Sequence, residues 1–252
     1  KKLIDKWLTL GIEGSDISNR WAEEDKHDSI PPNVIAGSHD LLLDWSLLEI
    51  NSNLALLGGG SVSGLDRFAR GEALACTLHI LDRKSGDYNI SALKNVYNGS
   101  PPKDVVLIEW ARREQGLILP PGNPQGISEL FDLIKKDSRL LLRQSGSGSR
   151  MLYEYLADQA GIAHSQFNIC NAVAKNETEL GRAIADKKAD VGIGLASVAK
   201  LFSLEFLPLF RERFDILIRR RDYFEKPFQQ LMSLTKSENF FRQAREICGY
   251  DI

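Results

Sequence analysis

Along this chain, a short apolar segment, a turn that contains glycine and serine, and a helical segment follow one another repeatedly in the same order. Val34-Ile35-Ala36 is followed by the turn Gly37-Ser38-His39-Asp40 and by a helical pattern over 41–50. The same order recurs over 54–71 and over 139–160. Strand, turn and helix in this order are typical of a parallel α/β sheet. The sequence therefore predicts an α/β protein with mixed, mainly parallel sheets.

The remaining apolar patterns predict two similar lobes with a cleft between them. The series restarts after Pro120-Pro121-Gly122-Asn123-Pro124, so we expect connections near 110–120 and 205–215. We assign 34–115 plus 206–252 to lobe 1, 116–205 to lobe 2, and 1–33 to a helical lead-in or linker. The other expected strands cover 73–81, 105–110, 189–194, 206–209 and 214–218, and the other expected helices cover 130–135, 180–185 and 227–248.

Composition excludes several classes of protein. The chain has 32 Lys and Arg against 34 Asp and Glu, so its net charge of −2 does not favour nucleic-acid binding. Its three cysteines lack CxxC spacing, so we expect buried thiols rather than a disulfide framework or a zinc site. No apolar stretch reaches the ~20 residues of a membrane span. We expect a cytoplasmic domain, or a periplasmic one if an N-terminal signal has been removed.

Three turns are candidate anion-binding sites: 37–40, 60–64 and 145–149. Each follows an expected strand and opens an expected helix, where unpaired backbone N–H groups and the positive end of the helix dipole favour negative charge. Glycine permits close approach, and serine adds a hydroxyl donor. N-capping alone explains a single serine at such a position without any ligand. Three such turns from two lobes favour a shared anion site.

Other motifs of site chemistry are absent from the sequence. It contains no GxxxxGK[ST] phosphate loop, no GxSxG nucleophile turn and no HExxH metal spacing. His39 lies in a candidate anion turn, whereas His79 closes an apolar strand and favours a structural role. Arg143 and Arg150 flank the third turn, and 112–114 is expected to form local ion pairs.

Several short motifs in order along the chain resemble one protein family. The motifs are Ala36-Gly37-Ser38-His39-Asp40, Gly71-Glu72-Ala73, His79-Ile80-Leu81-Asp82, Gly86-Asp87-Tyr88-Asn89, Arg113-Glu114-Gln115-Gly116-Leu117, Pro121-Gly122-Asn123-Pro124, Arg143-Gln144-Ser145-Gly146-Ser147-Gly148-Ser149-Arg150, Ala189-Asp190-Val191-Gly192-Ile193-Gly194, Glu212-Arg213-Phe214-Asp215 and Gly249-Tyr250-Asp251. The family that they resemble is the type II periplasmic-binding-protein-like domain related to molybdate- and tungstate-binding proteins, often fused to a helix-turn-helix DNA-binding domain. The resemblance covers about residues 34–252.

The resemblance implies a cleft that closes on a small oxyanion such as molybdate or tungstate. Together with the turn analysis it gives eight candidate ligand residues: Ser38, His39, Gly60, Ser61, Arg143, Ser147, Gly148 and Ser149. Asn176-Glu177 departs from the Thr-His pair of some relatives, and an acidic residue there would repel a dianion. We expect no cofactor, no catalytic residue and no metal other than within the oxyanion. The expected partner is DNA, through an N-terminal domain outside this chain, or alternatively an ABC transporter permease.

Two other functions compete with oxyanion binding. An effector-binding domain of a transcription regulator would hold a small organic acid or peptide, with Trp45, Trp110 or Tyr88 as an apolar wall. An enzyme would use His39 with Asp40, or His79 with Asp82, as an acid–base pair. Hydrogen phosphate, which keeps a proton, would need an acceptor, and Asp40 is the candidate for that role.

Overall fold

The computed structural model describes residues 31–96, 99 and 103–252, so the expected lead-in over 1–33 lies almost wholly outside the described residues. In this part of the chain the strands form one mixed sheet in the order β2-β1-β3-β8-β4-β7-β5-β6, with β9 pairing with β4. The strands are β1 Val34–Gly37, β2 Ala55–Gly58, β3 Ala75–Leu78, β4 Val105–Leu119, β5 Leu140–Arg143, β6 Ile169–Ala174, β7 Val191–Leu195, β8 Glu205–Arg219 and β9 Tyr250–Asp251.

Helices follow most of the strands, in the alternation that the turns predict. They pack on both faces of the sheet and bury apolar side chains in separate clusters. The clusters around Leu42 and Phe68 lie on opposite faces of β3, and those around Leu152 and Leu180 lie on opposite faces of β5. The helices are α1 Leu41–Glu49, α2 Ser61–Ala69, α3 Ile90–Val96, α4 Asp132–Lys135, α5 Gly148–Gln159, α6 Glu177–Ala185, α7 Ala196–Leu201, α8 Arg220–Tyr223, α9 Lys226–Leu234 and α10 Glu238–Ile247.

The sheet consists of two parallel groups of strands joined by an antiparallel ribbon. We call β1, β2 and β3 the first half-sheet and β5, β6 and β7 the second half-sheet. Within the first, β1 pairs in parallel with β2 and β3; within the second, β5 pairs in parallel with β6 and β7. The ribbon is β4 with β8, paired from Val105↔Arg219 to Leu119↔Glu205. The predicted α/β class with a mixed sheet is confirmed, but parallel strands do not predominate, because the ribbon pairs antiparallel with both groups of strands.

The ribbon is longer than the apolar pattern predicts. The expected strand over 105–110 continues to Leu119, and the expected strands over 206–209 and 214–218 are one strand. The prediction was wrong because charged residues inside these strands, such as Arg113 and Glu212, interrupt the apolar pattern while pairing with each other across the ribbon. At Gly116 the two strands approach so closely that a Cβ atom would lie 2.1 Å from the carbonyl oxygen of Leu207.

Several smaller expectations also need correction. Helix α2 begins at Ser61 rather than near 65, and the closing helical region is two helices, α9 and α10. Elements α3, β6 and α7 were missed because their apolar patterns are short. Of the cysteines, Cys76 is buried, which raises the pKa of its thiol, but Cys248 is exposed.

One testable consequence concerns the packing of α2 on β1. A Cβ atom at Gly64 would lie 2.4 Å from the Cα atom of Gly37, backbone against backbone. Gly64→Ala should therefore lower the free energy of unfolding by about 1–3 kcal/mol, the usual cost of overpacking. The matched control is Gly58→Ala, because nothing lies within 4 Å of the added methyl group. Equal urea midpoints for the two variants would contradict this packing.

Candidate functional site

The three glycine- and serine-containing turns meet between the two half-sheets. A Cβ atom on Gly148 in the third turn would lie 2.1 Å from the His79 ring at the end of β3. A Cβ atom on Gly60 in the second turn would lie 3.7 Å from the carbonyl oxygen of Gly146. Ser38 in the first turn lies 2.7 Å from His79, Oγ to Nε2. Turns that are far apart in sequence therefore meet at one junction between the half-sheets, which we call the gap.

His79 connects the parts of this site that belong to the first half-sheet and the ribbon. Its Nδ1 lies 2.7 Å from Oε2 of Glu212 on β8, and its backbone N–H donates to Oγ of Ser61 at 3.1 Å. The side chain is buried, and its ring packs at 5.7 Å from that of Phe214. His79 therefore fixes the turn after β1, the start of α2 and the ribbon relative to one another.

A buried guanidinium stands behind His79. Arg113 Nε donates to Glu212 Oε1 at 2.8 Å, and its Nη1 donates to Asp40 Oδ2 at 2.9 Å. Burial alone would raise the pKa of Glu212, but the charges of Arg113 and His79 lower it to about 2. The expected local ion pair forms at Arg112, which bonds Glu109, but the expectation was wrong for Arg113, because its partners lie 73 and 99 residues away in sequence.

Asp40 is a structural residue rather than a ligand acceptor. Its Oδ1 caps α1 by accepting from Leu43 N at 2.8 Å and also accepts from Trp110 Nε1 at 3.2 Å. Its Oδ2 accepts from Arg113 and from Tyr250 Oη. The expectation that Asp40 accepts a proton of hydrogen phosphate was wrong, because both oxygens are engaged with buried donors.

The two expected acid–base pairs do not form. His39 bonds Asp44 at 2.5 Å, which raises the pKa of His39, and it does not pair with Asp40. His79 pairs with Glu212, whereas Asp82 accepts from the backbone of Lys84.

The second half-sheet contributes the start of α5. Ser147 is the N-cap of this helix and accepts from Arg150 N at 3.3 Å, which leaves its hydroxyl proton for another acceptor. Ser149 donates to Glu177 Oε1 at 2.8 Å and accepts from Gln115 Nε2 at 3.2 Å. Both serines are buried.

Arg143 is occupied by an acidic partner. Its Nη1 bonds Glu177 Oε1, and its Nε donates to Ala174 O at 3.3 Å. The residue pair that departs from the family pattern therefore has two separate roles. Asn176 caps α6 by accepting from Glu179 N, while the charge of Glu177 is compensated by Arg143. The expected repulsion from Glu177 is reduced by this ion pair.

Four buried side-chain atoms lack a hydrogen-bond partner within the described residues, and two of them lie in this region. They are Gln115 Oε1, Glu177 Oε2, Ser197 Oγ and Asp222 Oδ2.

Gln115, Glu177 and Glu212 were not identified as site residues from the sequence. The sequence did offer a signal for them. Gln115 and Glu212 are polar or charged residues inside apolar strands, and Glu177 is a charged residue at the start of a helix.

Residues 31–96, 99 and 103–252 contain no group of three or more His, Cys, Asp or Glu side chains arranged to hold a metal ion. Among the helices in these residues, none has the length and apolar composition of a membrane span.

Outside the site, further contacts join elements of the two half-sheets. Arg83, after β3, reaches Glu154 and Asp158 on α5. Lys200 on α7 donates to the carbonyl oxygen of Glu246 on α10 at 2.6 Å. These contacts hold the two sides together away from the turns.

Sequence comparison identifies relatives without an assigned role. The chain is 25% identical over 224 residues to the uncharacterized protein YvgK of Bacillus subtilis (strain 168). The matched region covers 87% of this chain and 71% of that protein. It is 30% identical over 70 residues to an uncharacterized protein in the ferredoxin 2Fe-2S gene 5' region of Clostridium pasteurianum. That match covers 27% of this chain and 62% of the relative.

Solved structures share the fold at low sequence identity. One is the tungstate ABC transporter of Geobacter sulfurreducens, which is 13% identical in sequence. The match covers 84% of this chain and 97% of that chain, with a TM-score of 0.57. The ABC-type phosphate transport receptor of Vibrio cholerae has 13% identity, coverage of 87% and 99%, and a TM-score of 0.53. The regulatory domain of Synechocystis CcmR in complex with 2-PG has 14% identity, coverage of 81% and 96%, and a TM-score of 0.58.

These likenesses agree with the expected type II periplasmic-binding-protein-like fold, which is confirmed. The family model described as a PBP superfamily domain matches residues 49–236, which is most of the chain. This chain belongs to the PBP superfamily.

Proposed function

We propose that this ligand-binding domain holds a small oxyanion, such as molybdate or tungstate, between its half-sheets. The observation that carries the proposal is the meeting of three serine-containing turns around His79, with the starts of α2 and α5 on opposite sides. Binding of the anion would join the two sides and favour the closed arrangement.

The chemistry of these turns suits an acceptor-only ligand. Helices α2 and α5 have nine and twelve residues, so each presents first-turn N–H groups and a positive dipole end. We propose Ser38, Ser61 and Ser147 as hydroxyl ligands, with Gly60 and Gly148 allowing the backbone to approach. Fully deprotonated tetrahedral anions accept several such hydrogen bonds at once.

The other expected ligands have partners that an anion would have to displace or share. Arg143 and Ser149 both bond Glu177 Oε1, and His39 bonds Asp44. We propose that these residues act mainly by compensating or positioning charge at the edge of the site. Because Glu177 pairs with Arg143 and Asp44 pairs with His39, these two carboxylates add little uncompensated negative charge for an incoming anion.

A second candidate ligand is a small organic acid, as expected for a regulator's effector domain. The likeness to the CcmR regulatory domain in complex with 2-PG favours it. The expected apolar wall is not available for such a ligand, however. Trp110 packs on Phe240, Trp45 packs against the same core, and Tyr88 lies in the core of the second half-sheet. An inorganic oxyanion therefore fits the described side chains better.

The proposal predicts how an added charge at the third turn affects binding. Wild-type protein should bind at least one of molybdate, tungstate, sulfate and phosphate in isothermal titration calorimetry. Ser147→Asp keeps a good N-cap for α5 but places a carboxylate against the anion, so affinity should fall by tenfold or more, or ~1.4 kcal/mol. The matched control is Ser237→Asp, the same exchange at the N-cap of α10, which should bind as wild type.

The outcomes of that titration are distinct. Binding of none of the four ions, by heat or by thermal shift, would end the oxyanion proposal. A co-purified organic mass in native mass spectrometry would instead support the organic acid. Unchanged affinity in folded Ser147→Asp would remove the third turn from the site.

A separate prediction concerns closure. Arg83 is about half-exposed, and exposed ion pairs contribute about 0–1 kcal/mol. Arg83→Ala should therefore weaken anion binding by no more than about fivefold, since it removes contacts made only between the two sides. The loss should shrink at high salt, because the ion pairs are screened. The control is Arg245→Ala, on the exposed side of α10, which should bind the anion as wild type does. If Arg83→Ala did not weaken anion binding even at low salt, this role of Arg83 would be contradicted.

A further inference from the structure

Ser38, His79 and Glu212 form a chain in which both ring nitrogens of the histidine are engaged. Ser38 Oγ lies 2.7 Å from Nε2, and Glu212 Oε2 lies 2.7 Å from Nδ1. An ionised carboxylate can only accept, so Nδ1 carries a proton. The protonation of Nε2 then decides the direction of the hydrogen bond with Ser38.

The two states of Nε2 give Ser38 opposite roles. If Nε2 is bare, it accepts the Ser38 hydroxyl proton, and Ser38 presents only lone pairs to the gap. If Nε2 is protonated, it donates to Ser38 Oγ, and the hydroxyl proton becomes free to donate to a ligand. Ser38 is only partly buried, and His79 lies against Gly148 across the gap, so this choice is made at the meeting point of the turns.

The charged groups around His79 come from the ribbon and from the turn after β1. Glu212 from β8 and Arg113 from β4 stand behind the ring, and Asp40 lies beyond Arg113. Tyr88 lies near Glu212, and burial raises the pKa of its phenol, so it remains neutral. The turn of α5 against the ring contributes Gly148, which has no charge.

This buried set is short of one positive charge. It holds the carboxylates of Asp40 and Glu212 against the single guanidinium of Arg113. Phe214, which packs on both His79 and Arg113, and Ser61 on α2 add none. A proton on His79 would balance the set.

We propose that His79 is a positioning residue: its protonation state sets whether Ser38 donates a hydrogen bond to the anion or accepts one from it. This inference rests on the proposed function. A fully deprotonated tetrahedral dianion, such as tungstate or molybdate, binds with His79 protonated and Ser38 donating, and one proton is taken from solvent. Hydrogen phosphate carries a proton of its own and binds with His79 neutral and Ser38 accepting that proton, without uptake. Affinity for the first class therefore rises as pH falls, by up to tenfold per pH unit while free His79 is neutral.

The test is calorimetry of wild-type protein with tungstate and with phosphate in two buffers, Tris and EPPS, at about pH 8, where hydrogen phosphate predominates and histidine is mostly neutral in water. The dependence of the observed heat on the buffer's ionisation enthalpy gives the number of protons taken up. We expect close to one proton per tungstate and close to none per phosphate. Binding with equal proton counts for the two ions would overturn this inference alone, and binding of neither ion would overturn the oxyanion proposal with it.

Variants identify the group that takes the proton. Glutamine in His79→Gln cannot gain a proton. Proton uptake on tungstate binding should therefore vanish in this variant, and the affinity for tungstate should become independent of pH. His39→Gln removes the other titratable histidine near the site and should retain the uptake, whatever its affinity. His164→Gln, on the exposed surface, should behave as wild type. Loss of uptake in His39→Gln with retention in His79→Gln would assign the proton to His39 and overturn the proposal.

A measurement on wild-type protein covers the case in which His79→Gln does not fold. The imidazole ¹⁵N chemical shifts distinguish a bare Nε2 from a protonated one. Saturation with tungstate should convert the His79 signals to those of an imidazolium, whereas saturation with phosphate should leave Nε2 unprotonated. Identical spectra in the two complexes would contradict the proposed selection.

Discussion

The arrangement of the site depends on one buried guanidinium. Arg113 joins Asp40, which caps α1, to Glu212, which holds His79. Removing one partner of a buried ion pair commonly costs 3–5 kcal/mol, because a charge is left uncompensated in a medium of low polarity. Without Arg113, Asp40 and Glu212 would lose the cation that links them, and the turn after β1 would keep only its direct contacts with β3 and His79. The turn that carries Ser38 is therefore tied to a charge located on the ribbon between the half-sheets.

The ribbon explains how two similar α/β groups share one site. Strands β4 and β8 each run for 15 residues and are hydrogen-bonded along nearly their whole length. Their bulges at Glu109/Ala111 and Gln115/Gly116 lie on either side of Arg113. Side chains in this stretch reach both half-sheets, since Arg113 contacts Asp40 and Gln115 contacts Ser149. The same two strands thus position side chains that belong to both halves of the site.

The sequence predicts the local features well and the long-range pairs poorly. Glycine and serine at strand ends have local causes, so the turns near Ser38, Ser61 and Ser147 could be found without the fold. The interaction of Arg113 with Glu212 joins residues 99 positions apart, and that of Arg143 with Glu177 joins residues 34 apart. No local periodicity records such pairs. For the same reason, sequence reasoning placed His39 and His79 beside the nearest aspartates, whereas folding gives them Asp44 and Glu212.

The proposed function requires that one anion occupies the gap between the serine turns. A crystal structure of the protein with tungstate would locate the ion, because the anomalous scattering of tungsten marks its position independently of the refined coordinates. We expect a single strong peak within hydrogen-bonding reach of Ser38, Ser61 and Ser147. Tungsten bound only at other surfaces, with this gap unchanged, would contradict it.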